Sequence, residues 1–169
     1  MNMREDFLKK HGLRATDFDM QQLVDVFISE MANGLEGKNS SLRMIPTYIE
    51  ADNEFKTEVP VLAIDAGGTN IRAARVTFSK DGNLDISHMV HAPMPGLERQ
   101  VSKAEFFQIV AGYIQDLAAE SERIGFCFSY RTEIYQNKDG KLLQFCKEIK
   151  APEVEGTLIG KNLLEAMGM

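Results

Sequence analysis

Between Val59 and Phe78 the chain reads VPVLAID, then AGGTN, then IRAARVTF. The first piece is a short apolar run ending on one carboxylate, Asp65, the pattern of a buried strand. The last piece alternates, with Ile71, Ala73, Arg75 and Thr77 set against Arg72, Ala74, Val76 and Phe78. Two adjacent glycines between them predict a tight turn, so the strands fold back on each other as a hairpin. A second turn comes at SKDGN, with Asp81-Gly82 at its tip, and LDISHMVHA reads as a third strand. This order predicts an antiparallel meander.

The segments after the meander set the fold class. Ser102 with Glu105 three residues on is a capping box, and Phe106, Phe107, Val110, Tyr113, Ile114 and Leu117 recur at helical spacing. A helix over about 103–122 is predicted. Ile124 to Ser129 reads as an apolar strand parallel to its neighbour. A turn at Asn137–Gly140, a short strand at Lys141–Phe145 and a last helix opened by Gly156 and Thr157 complete the pattern. A meander, a crossover helix and a parallel strand make a mixed α/β sheet.

The first fifty residues differ in character. Glu5–His11 fits a short helix stopped at Gly12. Thr16 offers a hydroxyl cap with Asp19 three residues on, and a longer amphipathic helix runs over Asp17–Leu35, ended by Gly34 and Gly37. An irregular connector reaches to the first strand. The expected division is therefore a helical extension and connector over 1–50 and an α/β lobe over 51–169.

A net charge of -6 argues against a general nucleic-acid binder, which needs a concentrated Lys/Arg surface. No apolar run is long enough to span a membrane, and the charged start MNMREDFLKKHG lacks the apolar core of a secretory signal. The two cysteines, Cys127 and Cys146, show no C-x-x-C spacing. They read as reduced thiols in a cytoplasmic protein, Cys127 as a small core residue. The final LLEAMGM ends within a helical pattern, which suggests a piece of something longer. His88 and His91, three apart on a strand, do not share the face that a metal pair would want.

The stretch Asp65-Ala66-Gly67-Gly68-Thr69-Asn70-Ile71-Arg72 carries the chemistry. Glycines let backbone N–H groups approach an anion, and they permit the positive φ of a tight hairpin. Thr69 and Asn70 add donors suited to phosphate oxygens, and Arg72 offers a forked cation. Asp65 would repel a phosphate unless Mg²⁺, or water on Mg²⁺, lay between them. A strand rather than a helix comes after the glycines, so this is neither a P-loop nor a dinucleotide-binding turn. The plain alternative is a hairpin turn with no ligand.

The Gly67–Gly68 hairpin resembles the first phosphate motif of the hexokinase, actin and Hsp70 superfamily. Ser40-Ser41-Leu42-Arg43-Met44-Ile45-Pro46-Thr47-Tyr48 looks like the segment that precedes the small lobe of hexokinases. Gly125-Phe126-Cys127-Phe128-Ser129-Tyr130 is similar to the strand leading to their sugar loop. Phe145-Cys146-Lys147-Glu148-Ile149-Lys150-Ala151, with Val154-Glu155-Gly156, looks like the next sugar-site loop. The resemblance runs from about Asp17 to the C-terminus. It implies an RNase H-like lobe, with sugar and ATP bound in a cleft against a large lobe outside these residues. It implies transfer of the ATP γ-phosphate to the 6-hydroxyl of a hexose. By position, Asp65 (through water to Mg²⁺), Gly67, Gly68, Thr69, Asn70 and Arg72 would serve ATP–Mg²⁺. Ser129, Cys146 and Lys147 would touch the sugar, with Lys147 also offsetting charge on the moving phosphoryl group. Apart from the resemblance, Ser129 fits a strand-end hydroxyl bonded to backbone and Lys147 a solvated surface lysine.

The sequence departs from the family in three places. Arg131 follows Tyr130 where a proline is usual, which implies a looser or shifted sugar loop. Cys146 replaces a threonine, and a thiol is a poorer hydrogen-bonding group. The family's general base, an aspartate in an Asn-Asp pair, belongs to a strand expected after the last helix; Glu133 and Glu155 do not sit in that context. Two other readings stay open: a sugar-sensing regulator on the same fold, and a kinase of the bacterial glucokinase or ROK type. The apolar side of the Asp17–Leu35 helix makes self-association as a homodimer a further expectation.

Overall fold

The apolar run VLAIDA and the alternating NIRAARVTF become two paired strands, in which Leu62, Ile64 and Ala66 of the first and Ile71 and Ala73 of the second are buried. The computed structural model describes residues 3–50, 52, 56–145 and 148–169. The chain divides into two compact units, Met1–Pro46 and Thr47–Met169.

The first unit holds α1 (Met3–His11) and α2 (Met20–Leu35), with a 3-10 turn over Ala15–Asp17 between them. Gly12 ends α1 with φ +63, as a left-handed stop requires. The cap of α2 is Asp19 rather than Thr16: its carboxylate accepts from the N–H groups of Gln21 (3.0 Å) and Gln22 (3.1 Å). Gly37 (φ +70) lies just past the helix end, whereas Gly34 lies inside the helix. A Cβ at Gly34 would sit 1.9 Å from the carbonyl oxygen of Leu42, so this glycine lets the returning segment cross the helix. Glu30 fastens that segment. Its carboxylate accepts from the Ser41 N–H (2.8 Å), the Ser40 hydroxyl (2.8 Å) and the Ser41 hydroxyl (3.0 Å). These bonds hold its pKa below the usual carboxylate range, the Ser41 backbone bond most of all.

In the second unit, β1 (Val61–Ala66), β2 (Asn70–Phe78) and β3 (Leu84–Pro93) form the expected meander. Then come α3 (Lys103–Ala118), β4 (Ile124–Phe128), β5 (Arg131–Ile134), β6 (Gly140–Gln144) and α4 (Ile159–Ala166). The main sheet has the order β3-β2-β1-β4, with β4 parallel to β1. Strands β5 and β6 make a separate two-stranded sheet. β5 is absent from the sequence reading, which treats Arg131 as part of a loosened loop.

Leu62, Ile64, Ala66, Ile71 and Ala73 point to one face of the sheet, and α3 covers it with Phe106, Phe107, Val110, Ile114 and Leu117. Each fully buried leucine, isoleucine, valine or phenylalanine among them contributes roughly 1.5–3 kcal/mol. Ser102 caps α3 by accepting from the Glu105 N–H at 3.2 Å. The other half of the expected box is not made, because the Glu105 carboxylate is taken by Arg99. The helix stops at Ala118, short of Glu122. The last helix starts at Ile159 rather than at Gly156. Gly156 turns with φ +79, its N–H donates to Leu142 O, and Thr157 O accepts from the Leu142 N–H, so both residues are consumed in joining β6.

Candidate functional site

The turn between β1 and β2 has an ordered set of bonds. The Gly67 N–H donates to Asn70 O at 2.9 Å and closes the hairpin. The Thr69 carbonyl accepts from the Met94 N–H at 3.0 Å, and the Gly67 carbonyl accepts from the Tyr130 hydroxyl at 2.6 Å. Three carbonyl oxygens, of Gly67, Thr69 and Asn70, are thus held by the protein itself. The Asn70 amide donates to the Thr69 hydroxyl at 2.9 Å.

The expectation of positive φ does not hold at Gly67, which lies outside the left-handed region. A Cβ there would meet only Asn70 O at 3.4 Å, an ordinary contact. The fold itself does not demand glycine at this position; what the missing side chain leaves open is the approach to the turn.

Asp65 and Arg72 face each other across β1 and β2 as register partners, on the side of the sheet that α3 does not cover. Their side chains pair at 3.5 Å, and both remain about half exposed (49% and 60%). Cys127 is the register partner of Asp65 on β4 and is exposed, not a core residue. The β4 residues that face the core are Phe126 and Phe128, opposite Ile64 and Ala66, so the alternation puts Gly125 and Cys127 on the open face. Ser129 continues that face just past the strand, exposed, with its N–H donating to Ala66 O at 3.0 Å. The carboxyl ends of β1 and β4 therefore bring Asp65, Arg72, Ser129 and the Gly67–Asn70 turn together, the end where parallel strands place ligands. Cys146 and Lys147 lie outside the described residues.

Sequence reasoning missed Tyr130, which is 7% exposed and stacks edge-on against Phe145 with ring centroids 4.9 Å apart. Glu155, which the sequence reading places within the Val154–Gly156 motif, has a carboxylate that accepts from the Phe145 N–H at 2.9 Å. A tyrosine between a serine and an arginine carries no spacing signal; only the fold shows what its hydroxyl reaches. His88 does not point to metal chemistry. It sits at φ +52 opposite an irregular step between Ala73 and Arg75, with its Nδ1 2.6 Å from the Arg75 guanidinium. A separate groove of about 1040 Å³ is lined by Phe126, Phe128, Ile134, Ile159 and Leu163, and it excludes the turn.

The chain matches the Hexokinase family model over residues 6–169. It belongs to the hexokinase family. It is 33% identical over 143 residues to Hexokinase-3 of Rattus norvegicus, covering 81% of this chain and 15% of the rat protein. It is 28% identical to Hexokinase-1 of Saccharomyces cerevisiae, covering 81% of this chain and 30% of the yeast protein. Among solved structures, the crystal structure of a hexokinase superposes with TM-score 0.76 at 22% identity, covering 88% of this chain and 38% of that one. The hexokinase from Schistosoma mansoni, complexed with glucose, superposes with TM-score 0.66 at 26% identity, covering 85% and 34%. The chain thus spans well under half the length of these relatives. The mixed α/β sheet expected from the motifs is the fold that these hexokinases share. Among the described residues, no helix is long and apolar enough to cross a membrane.

Proposed function

We propose that this hexokinase-family chain supplies the phosphate-holding side of an ATP-dependent sugar kinase, which transfers the γ-phosphate of ATP to the 6-hydroxyl of a hexose. The observation that carries this reading is the Gly67–Asn70 turn. Its carbonyl oxygens at Gly67, Thr69 and Asn70 are tied to protein donors, so they do not confront an anion. Its first glycine is required neither by backbone angle nor by packing. A turn with these two properties fits a phosphate better than it fits a bare hairpin.

Asp65 would hold Mg²⁺ through water, and Arg72, already 3.5 Å from that carboxylate, would steady the pair. When bound, the metal offsets the negative charge of the phosphates during transfer. Gly67, Gly68, Thr69 and Asn70 would position the phosphates, and Ser129 would meet the sugar on the same face. Roles for Cys146 and Lys147 at the sugar rest on the family resemblance alone. The large lobe, the cytoplasmic setting and a homodimer formed through α2, which buries none of its residues, belong to the same proposal.

The test uses the ¹⁵N-labelled 169-residue chain titrated with Mg·tripolyphosphate. The amides of Gly68 and Thr69 are expected to shift with saturation, and Gly67→Ala to lose the response at least ten-fold while melting within a few degrees of the parent. A turn whose amides ignore millimolar tripolyphosphate would overturn the reading.

A further inference from the structure

Tyr130 connects two parts of the candidate site that the sequence places far apart. Its hydroxyl donates to the Gly67 carbonyl at 2.6 Å, across 63 positions of sequence. Its ring is held by Phe128 (centroids 4.8 Å) and Phe145 (4.9 Å), and its own carbonyl accepts from the Thr132 hydroxyl at 3.0 Å. Both the ring and the backbone are therefore fixed from several sides.

The consequence lies in the peptide between Gly67 and Gly68. In a trans peptide the C=O of one residue and the N–H of the next point in opposite directions. Fixing the Gly67 oxygen onto Tyr130 therefore aims the Gly68 N–H the other way, out of the aromatic cluster. Glycine on both sides makes this peptide the one most able to rotate, because neither residue has a Cβ to resist. Rotated by half a turn, it would present a carbonyl oxygen in place of an N–H donor, and an anion would meet repulsion where it needs a hydrogen bond.

We propose that Tyr130 is a positioning residue for anion binding: its hydroxyl holds the Gly67–Gly68 peptide in the orientation that presents the Gly68 N–H to a phosphate. Tyr130 directly follows Ser129, so the bond also ties the candidate sugar strand to the candidate phosphate turn. The inference deepens the phosphate-turn reading and rests on it.

The test compares Tyr130→Phe with the parent chain, again by Mg·tripolyphosphate titration of ¹⁵N-labelled protein. Phenylalanine keeps the ring and removes only the hydroxyl. The expected result is about 3- to 10-fold weaker binding, the equivalent of one hydrogen bond, together with exchange broadening of the Gly68 amide in the free protein. Ile114→Val, a buried change in α3 outside the turn and the aromatic cluster, should lower the melting temperature yet leave the affinity within about two-fold. If Tyr130→Phe lowers stability but binds tripolyphosphate as the parent does, the tyrosine is merely structural and the proposal is overturned. Residual dipolar couplings on the parent chain give the Gly68 N–H direction without any variant. A vector aimed into the Phe128–Tyr130–Phe145 cluster, rather than away from it, overturns the proposal even if Tyr130→Phe does not fold. No response from the parent turn at all is a different failure, that of the phosphate reading itself.

Discussion

Helix α4 is eight residues long, and its N-cap residue, Leu158, has no side chain that could accept a hydrogen bond. The cap comes instead from the β5–β6 hairpin. Asp139 Oδ1 accepts from the N–H groups of Gly140 and Gly160, each at 2.7 Å, and Oδ2 accepts from the Lys161 N–H at 3.0 Å. Loss of a helix cap costs about 0.5–2 kcal/mol, and a negative charge at a helix N-terminus contributes about 0.3–1 kcal/mol more. Asp139→Ala is therefore expected to destabilise the Thr47–Met169 unit by about 1–3 kcal/mol, and Asp139→Asn, which keeps one acceptor oxygen, by about half of that. Gly160 sharpens the test. A Cβ on it would stand 2.8 Å from Asp139 Oδ1, so Gly160→Ala displaces the carboxylate and destabilises the parent. With Asp139 already replaced by alanine, that clash is gone, and alanine is favoured over glycine in a helix by about 1 kcal/mol. The same substitution should then stabilise. The protein has no tryptophan, and its four tyrosines (48, 113, 130 and 135) all lie in the Thr47–Met169 unit. Tyrosine fluorescence during urea unfolding thus reports this unit directly. If Asp139→Ala costs less than about 0.5 kcal/mol, or if Gly160→Ala has the same sign in both backgrounds, the capping argument is wrong.

Two further outcomes are expected in other parts of the molecule. Because the folded-state pKa of Glu30 is depressed by bonds from Ser41 and Ser40, its contribution is present above the unfolded carboxylate pKa and is lost as pH falls through the lowered value. Acidification through that lowered value should therefore reduce the hydrogen-exchange protection of Ser41 and Leu42, measured against their intrinsic rates, and Glu30→Gln should lack that protection already at pH 7; protection unchanged by acid would contradict this. The 169 residues contain no Asn-Asp pair, the context in which the family resemblance sets its general base. A coupled assay of the purified chain with glucose and Mg·ATP is expected to show little or no turnover, and robust glucose phosphorylation would refute the assignment of the base to another segment.

The meander, the crossover helix and the parallel strand were legible because each has a strong local cause. A short apolar run fixes β1, alternation fixes β2, Asp81-Gly82 fixes the second turn, and the α3 apolar stripe has one face to bury. The misreadings fall where a longer-range contact decides. Gly34 looks like a helix stop, yet it is a crossing point for the Leu42 carbonyl. Gly156 and Thr157 look like a helix start, yet they bond to Leu142 on β6. β5 spans only Arg131–Ile134, and its partner β6 begins after the intervening turn. Four residues with two charges give no periodic signal strong enough to outweigh the loop that the family resemblance suggests.

The site shows the same division at the level of single atoms. Asp65, Gly67, Asn70 and Arg72 can be singled out from sequence because residue type alone states what each offers: a carboxylate, an open backbone, an amide, a cation. Which backbone groups of the turn face outward cannot be read that way, since a glycine pair is compatible with either orientation of the peptide between its members. That choice is made by groups remote in the chain, the Tyr130 hydroxyl on the Gly67 oxygen and the Met94 N–H on the Thr69 oxygen. Cys127 illustrates the converse. Its small apolar character suggests burial, but its position is set by the alternation of β4, whose even-numbered phenylalanines take the core face and leave the odd positions outside. The chemistry of the turn is thus local in its residue types and non-local in its orientation. For that reason a variant that alters only a distant hydroxyl is a more searching test of the phosphate reading than one that alters the glycines.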